Sequence, residues 1–154
     1  LKENLEDELG EPEPHTDLWL YFAEGVGVNR QELQDATPIP EVESMIATYT
    51  KLCQQSPLCA LAALYTYESQ QPEVSRVKSE SLQDLYSIED KQSLLYFLCH
   101  QEADLKHRED ARKAMLLCLQ RGDSSHCLFE SAQAALDAHW TMLDGVCRQA
   151  GITC

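Results

Sequence analysis

The chain has 154 residues, of which 44% are hydrophobic and 25% are charged. This balance is typical of a globular protein and excludes wholesale disorder. The net charge of −14 argues against a nucleic-acid partner, because a phosphate-binding surface needs an excess of Lys and Arg. No apolar run approaches the roughly 20 residues of a membrane-spanning helix, so no membrane association is predicted.

The seven cysteines show no C-x-x-C spacing, and most lie among Leu and Ala, as in 116-LLCLQ-120. Buried reduced thiols explain this pattern better than a disulfide framework, which predicts a cytoplasmic protein. The chain opens at Leu1 inside a helical pattern, and no secretory signal is visible. We therefore interpret the sequence as lacking its N-terminal part.

Helical signals dominate the chain, and the alternation typical of strands is nearly absent. Gly10, Pro72 and Gly122 are predicted to end or interrupt helices. The predicted helices, in chain order, cover residues 1–9, 17–24, 29–34, about 38 to 54, 58–69, 74–83, about 87 to 120, and about 125 to 145 or 151. The expected architecture is one all-α domain over residues 1–154.

Three features of these helices are specific enough to test. Val42, Ile46 and Tyr49 follow a helical spacing and are predicted to form the buried stripe of the fourth helix. Ser87 stands three residues before Asp90, which resembles a capping box and predicts that the longest helix begins there. The helix over 58–69 is apolar on nearly every side, so it is expected to be central.

Three polar residues share one face of the longest predicted helix: His100, Asp104 and His107, at i, i+4 and i+7. At about 100° per residue, Asp104 lies about 40° to one side of His100 and His107 about 20° to the other. Tyr96 and Phe97 border the same stripe, so it is predicted to face inward. Buried imidazoles and carboxylates need a partner, and Fe, Mn or Zn is a suitable one. The alternative is an exposed His–Asp–His ladder.

Glu68 is the only carboxylate in the central helix, where it follows nine nearly apolar residues. In helical dinuclear sites, carboxylates and imidazoles project inward from several facing helices, and Glu68 fits that role. The alternative is a carboxylate just past the buried stretch that turns toward water.

The N-terminal segment adds Glu8 at a helix end and His15 where the next segment begins. Together with the four residues above, they make three carboxylates and three imidazoles. This is a complete donor set for two metal ions about 3.5–4 Å apart, with open positions for oxygen or water. A mononuclear facial triad needs only three of the six. The rest of the acidic run 1–13 is interpreted as a solvated face.

Three segments together resemble a known family. They read E-L-G-x-x-x-x-H followed by D-L-W-x-x-F-A-E-G, then L-Y-T-Y-E-S-Q-Q-P-E-V-S-R-V-K, then H-Q-E-A-D-L-K-H. They are similar to the Chlamydia protein associating with death domains and its bacterial relatives, which belong to the haem-oxygenase-like dinuclear metal oxidases. The resemblance spans nearly all 154 residues. It implies a seven-helix bundle with about two further helices before Leu1.

The resemblance also implies a chemistry. The six donors become ligands of an Fe/Fe or Mn/Fe pair, with dioxygen as co-substrate. The family makes p-aminobenzoate for folate from a tyrosine of the protein itself, and Lys78 corresponds to the lysine that donates the amine. Tyr67 and Tyr96 are expected to line or neighbour the pocket, and Tyr96 is the residue best placed to be oxidised or to relay an electron. A homodimer is expected, and any other protein partner is unknown.

The sequence is also compatible with two other functions. One is a metal-free relative of the same fold, thiaminase-like or quinone-cofactor-synthesis-like, which needs a nucleophilic Cys or basic residues in its pocket. Cys99 is expected to point about 100° away from the His100 face, which makes it a poor nucleophile. The other is a helical interaction module that recruits a basic partner through its acidic surface.

Overall fold

The computed structural model describes residues 2–10 and 13–153. It contains eight helices: α1 (Lys2–Leu9), α2 (His15–Gly25), α3 (Arg30–Asp35), α4 (Pro40–Gln55), α5 (Pro57–Glu68), α6 (Gln71–Tyr86), α7 (Lys91–Gln120) and α8 (Ser125–Gln149). No strand occurs in these residues, which confirms the all-α prediction. Within the same part of the chain, no helix combines the length and apolar character that crossing a bilayer requires.

The chain forms two compact units. Unit 1 comprises Leu1–Ala36 and Glu68–His107, and unit 2 comprises Thr37–Tyr67 and Arg108–Cys154. Unit 1 therefore contains α1, α2, α3, α6 and the first part of α7, and unit 2 contains α4, nearly all of α5, the rest of α7 and α8.

Local signals explain the helix boundaries in unit 1. Asn29 caps α3 through a capping box, in which its side chain accepts a hydrogen bond from the Glu32 backbone at 2.8 Å. Pro72 stands in the first turn of α6, so the chain breaks between α5 and α6 as expected. Gly25 ends α2 against the start of α7, where an added Cβ would collide with the Ser93 hydroxyl.

The predicted start of α7 is wrong in detail. Asp90 caps the helix by accepting a hydrogen bond from the Ser93 backbone N–H at 2.9 Å. Ser87 instead ends α6 in the left-handed conformation, with φ 55°, and its N–H donates to the Gln83 carbonyl. Both residues are of cap-forming types, and the pattern alone does not distinguish an end from a beginning.

Apolar packing dominates unit 2. Helix α5 contributes half of the buried residues of the unit's two core clusters, and α4, α7 and α8 contribute the rest: Leu52, Leu58, Leu61, Ala62, Ala63, Ala111, Met115 and Ala135. The central role predicted for α5 is therefore confirmed. Ile46 is 54% exposed, so its predicted burial is wrong. The inner stripe of α4 instead runs through Val42, Met45, Tyr49 and Leu52, and its centre lies about 80° around the helix from Ile46.

The cysteines follow the expectation of buried, reduced thiols only in part, since Cys59 is buried but Cys53 is exposed. Cys53, Cys59, Cys99, Cys118 and Cys127 are free thiols. Cys147 is disulfide-bonded, so the prediction that every cysteine is reduced is wrong at that position.

Candidate metal centre

The inward face predicted for α7 is present. His100, Asp104 and His107 are 4%, 2% and 2% exposed. Their spacing places them on one side of a continuous helix, and the exposed-ladder alternative is excluded by their burial. Glu68 is 4% exposed, so it does not turn toward water either.

The first cluster consists of Glu8, His15 and His100, one residue each from α1, α2 and α7. One potential ligand atom of each lies within 4.8 Å of the others. His15 Nδ1 is 2.9 Å from a Glu8 carboxylate oxygen, and the two imidazole ring centroids are 4.7 Å apart. All three residues belong to unit 1.

Each imidazole of the first cluster also makes a contact outside the cluster, through His100 Nδ1 and His15 Nε2. His100 Nδ1 lies 2.6 Å from the Tyr96 carbonyl oxygen, which can only accept, so Nδ1 carries the proton and Nε2 keeps a lone pair. His15 Nε2 lies 3.3 Å from the Cys99 thiol. Cys99 points away from the His100 face, as expected. The packing of α2 nevertheless places His15 in contact with the Cys99 thiol. Burial, together with the charges of nearby carboxylates such as Glu8, raises the pKa of this thiol, so it is a poor nucleophile.

The second cluster consists of Glu68, Asp104 and His107, with ligand atoms again within 4.8 Å of one another. His107 Nδ1 lies 3.3 Å from Asp104 Oδ1 and 3.8 Å from Glu68 Oε1. Burial raises the pKa of both carboxyl groups, because desolvation disfavours their charged forms. The three residues also belong to unit 1.

Several buried ligand atoms in these clusters lack a hydrogen-bond partner: His15 Nδ1, Glu68 Oε2, Asp104 Oδ2 and His107 Nδ1. The two imidazole nitrogens lie near carboxylate oxygens, but the contacts do not have hydrogen-bond geometry. Leaving a buried polar atom unpaired costs about 1–3 kcal/mol. Bound cations remove that cost, and three imidazoles with three carboxylates suit iron or manganese. The residues therefore fit a two-metal site.

Helix α1 contacts the second cluster through two residues that the sequence pattern does not identify as part of the site. Asn4 Nδ2 donates a hydrogen bond to Glu68 Oε1 at 2.7 Å. Asp7 Oδ2 lies 3.0 Å from His107 Nε2, and this hydrogen bond lowers the pKa of Asp7. The sequence pattern assigns both residues to a solvated acidic face. Their spacing is a signal for this arrangement, since Asn4 precedes Asp7 by three residues and Glu8 by four, which makes it a neighbour of both on the helix surface.

Tyr96 lies beside the first cluster, with its ring centroid 4.2 Å from that of His100. Trp19 packs against Tyr96 at 4.9 Å, and Phe97 continues the group of rings. Lys78 is exposed and places its Nζ 5.9 Å from the Phe97 ring centroid. The structure therefore brings Tyr96 against a candidate ligand and Lys78 against the neighbouring ring.

Tyr67 lies in unit 2. Its ring is 5.8 Å from the His139 ring, and both line a cavity of about 650 Å³ together with Tyr49 and Leu64. Its predicted place beside the metal ligands stays a prediction.

Comparison with known proteins gives these clusters a family context. Residues 1–140 match the haem-oxygenase-like family described as iron-containing redox enzymes. The chain belongs to this family. Membership agrees with the all-α fold and with the prediction of a redox enzyme.

Three relatives bear the name 4-aminobenzoate synthase. The protein of Chlamydia pneumoniae is 36% identical over 142 residues, that of Nitrosomonas europaea 33% over 147, and that of Chlamydia trachomatis 33% over 145. These alignments cover 92%, 95% and 94% of this chain, but 62%, 59% and 62% of the relatives. The chain thus spans about six-tenths of the length of the relatives that it matches.

Proposed function

We propose that the two clusters hold a pair of metal ions and that the protein is an oxygen-dependent oxidase of the 4-aminobenzoate synthase type. The observation that carries this proposal is the set of four buried ligand atoms without hydrogen-bond partners, shared between two adjoining triads of one unit. The likeness to enzymes named 4-aminobenzoate synthase supports the reaction type.

Each cluster has a separate task in this proposal. Glu8, His15 and His100 bind one ion, and the three residues of the second cluster bind the other. The pair supplies redox chemistry with dioxygen as co-substrate, and the mixed donor set suits Fe/Fe as well as Mn/Fe. The Tyr96 carbonyl fixes the His100 ring so that Nε2 is the ligand atom.

The proposed reaction forms p-aminobenzoate for folate, as the resemblance to the Chlamydia protein associating with death domains implies. A tyrosine of the protein supplies the ring, and Lys78 supplies the amine. Tyr96 is oxidised or relays an electron, which its contact with His100 supports. Tyr67 neighbours the reaction. The contact of the Lys78 ammonium with Phe97, next to Tyr96, supports a place for Lys78 near this chemistry.

The proposal also includes the setting of the enzyme. We expect a cytoplasmic homodimer, following the family resemblance. The net charge of −14 supports the absence of a nucleic-acid partner.

The test is metal loading without oxygen. The chain is incubated anaerobically with Fe²⁺, or with Fe²⁺ and Mn²⁺, and desalted, and its metal content is measured before air is admitted. We expect two ions per chain, an oxygen-dependent change in absorbance, and 4-aminobenzoate among the products. His126→Ala is the matched control, because His126 is 79% exposed on α8 and pairs with Glu130.

The controls also separate the other functions. His100→Ala should lose metal and activity, whereas His126→Ala should keep both. A chain that stays metal-free after loading contradicts the proposal and favours the metal-free relative or the interaction module. Retained partner binding without metal in His100→Ala would favour the interaction module.

A further inference from the structure

Asp7 contacts the nitrogen of His107 opposite the one that faces the second cluster. A carboxylate only accepts hydrogen bonds, so the contact of 3.0 Å places the imidazole proton on Nε2. Nδ1 is then unprotonated, and it is the nitrogen that faces Asp104 and Glu68. Because only an unprotonated nitrogen binds a metal, Asp7 selects the tautomer that the second cluster needs.

Asn4 acts on the carboxylate of the same cluster. Its amide donates to Glu68 Oε1 at 2.7 Å, which leaves the buried Oε2 without a partner. The contact fixes the orientation of the carboxylate without adding charge. Asn4 and Asp7 together therefore hold one imidazole and one carboxylate of the second cluster.

Both residues lie on the helix that supplies Glu8 to the first cluster. At about 100° per residue, Asn4, Asp7 and Glu8 fall within roughly 100° of one another around α1. No residue of α1 is buried, so polar contacts hold the helix in place. Beyond the clusters, Glu3 adds an ion pair to Lys106 of α7 at 2.7 Å.

We propose that Asn4 and Asp7 are positioning residues of the second cluster, so that one helix supplies a ligand to the first cluster and sets the geometry of the second. This inference rests on the proposed function, because it concerns residues that hold the ligands of that metal pair. It predicts that binding at one metal position depends on residues that do not touch the ion.

The first experiment needs no metal. Nitrogen-15 NMR of the metal-free chain should show His107 protonated at Nε2. Asp7→Ala should lose that preference, and Asp7→Asn should keep most of it, because the amide oxygen still accepts. An unchanged His107 tautomer in Asp7→Ala contradicts the proposal.

Two variants on the same helix serve as controls. Glu6→Ala removes only an exposed ion pair with Lys2, and Glu3→Ala removes the contact with Lys106. Neither should change the His107 tautomer. Alanine is the best helix former, so a loss in Asp7→Ala cannot be assigned to weaker helix formation. If Glu3→Ala acts as strongly as Asp7→Ala, α1 merely docks and the positioning role is wrong.

The second experiment titrates the chain with Co²⁺ alone and follows the visible absorption of the bound ion. Loss of an orienting partner weakens metal affinity by about 10–100-fold, so Asp7→Ala should weaken one of two binding steps by that factor. Asn4→Ala should weaken the same step, and Glu8→Ala the other. If Asp7→Ala leaves the affinity of both Co²⁺-binding steps unchanged, this inference is wrong. A chain that binds no Co²⁺ contradicts the proposed function, while the tautomer measurement still decides the inference.

Discussion

The two clusters have the same size and similar donors, yet their surroundings differ. In the first cluster the Glu8 side chain is 38% exposed, and the imidazoles contact a thiol, a carbonyl and an aromatic ring. In the second cluster all three side chains are buried, and two of them are carboxylates. If the proposed metal pair is bound, the greater burial of the second cluster should make it more dependent on a cation than the first.

The reason is the cost of desolvation. A buried carboxylate that lacks a partner either pays a large free energy or takes up a proton. Burial raises the pKa of Glu68 and Asp104, whereas the main contact of Asp7, its hydrogen bond with His107, lowers the pKa of that exposed carboxyl group. Without metal, we expect the second cluster to destabilise the fold, and in the proposed metal site the same oxygens would serve as ligands.

Chelation should give the largest effect. A ligand at 100 times its dissociation constant stabilises the folded chain by about 2.7 kcal/mol per site. We expect thermal unfolding of the loaded chain to shift down by several degrees after chelation. His107→Ala should remove more of this shift than His100→Ala, if the second cluster is the more dependent one. Equal losses in the two variants would contradict the comparison.

Neutralising a buried carboxylate should stabilise the metal-free chain. Asp104→Asn and Glu68→Gln should each raise the free energy of unfolding at pH 7 by an amount on the order of 1 kcal/mol, because they remove a buried charge. Glu8→Gln should change it little, since Glu8 is partly exposed. Urea denaturation measures the three values, and both buried substitutions should abolish metal-dependent stabilisation.

The buried carboxyl groups of the second cluster and the exposed carboxyl group of Asp7 should change the stability of the fold with pH in opposite directions. Below the ordinary pKa values of about 3.9 and 4.3, both the folded and the unfolded chain hold these protons. Above them, the unfolded chain releases protons that folded Asp104 and Glu68 retain, so stability falls as the pH rises toward their raised pKa values. Asp7 acts in the opposite direction. The fall should be smaller in Asp104→Asn, and an unchanged profile would contradict the assignment.

Gly25→Ala should disturb the first cluster selectively. The added methyl group collides with Ser93, so α2 must move away from α7 and take His15 with it. We expect a loss of about 1–3 kcal/mol in stability, the range for overpacking, and a weaker first metal position. Gly25→Ala with Ser93→Gly removes the colliding hydroxyl and should restore most of the affinity. A loss confined to the second cluster would show that α2 has no such role.

Cys99 should give the smallest effect. A thiol is a weak hydrogen-bond partner, so Cys99→Ser should leave stability within about 1 kcal/mol and metal content unchanged. The metal-free, nucleophilic alternative predicts instead that Cys99→Ser has no activity. Product formation by this variant therefore separates the two functions.

The sequence predicts the part of the site that lies within single helices. His100, Asp104 and His107 share one helix, so their spacing alone places them on a common face. Glu68 can be recognised from the sequence as a candidate ligand, because a lone carboxylate in an apolar helix has few other roles. The contact of His15 with Cys99 depends on how α2 packs on α7, and no local pattern encodes that packing.

The errors have the same origin. Ile46 and Met45 are both apolar, and the packing of α4 on α8 decides which of them faces inward. Ser87 and Asp90 are both cap-forming residues, and the sign of φ decides which helix each one serves. The sequence places Asp7 among surface charges, because its contact with His107 forms only when α1 packs beside α7.

The continuity of α7 limits which length changes the site tolerates. One residue inserted between His100 and His107 would rotate His107 by about 100° and shift it by 1.5 Å, so it would leave the second cluster. The turn after Gly122, where φ is positive and an added Cβ meets nothing, can absorb extra residues without such a rotation. Alignment gaps in relatives that keep both clusters should therefore fall in such turns and be absent from residues 100–107, which makes gap position a simple indicator of whether a distant relative retains the proposed site.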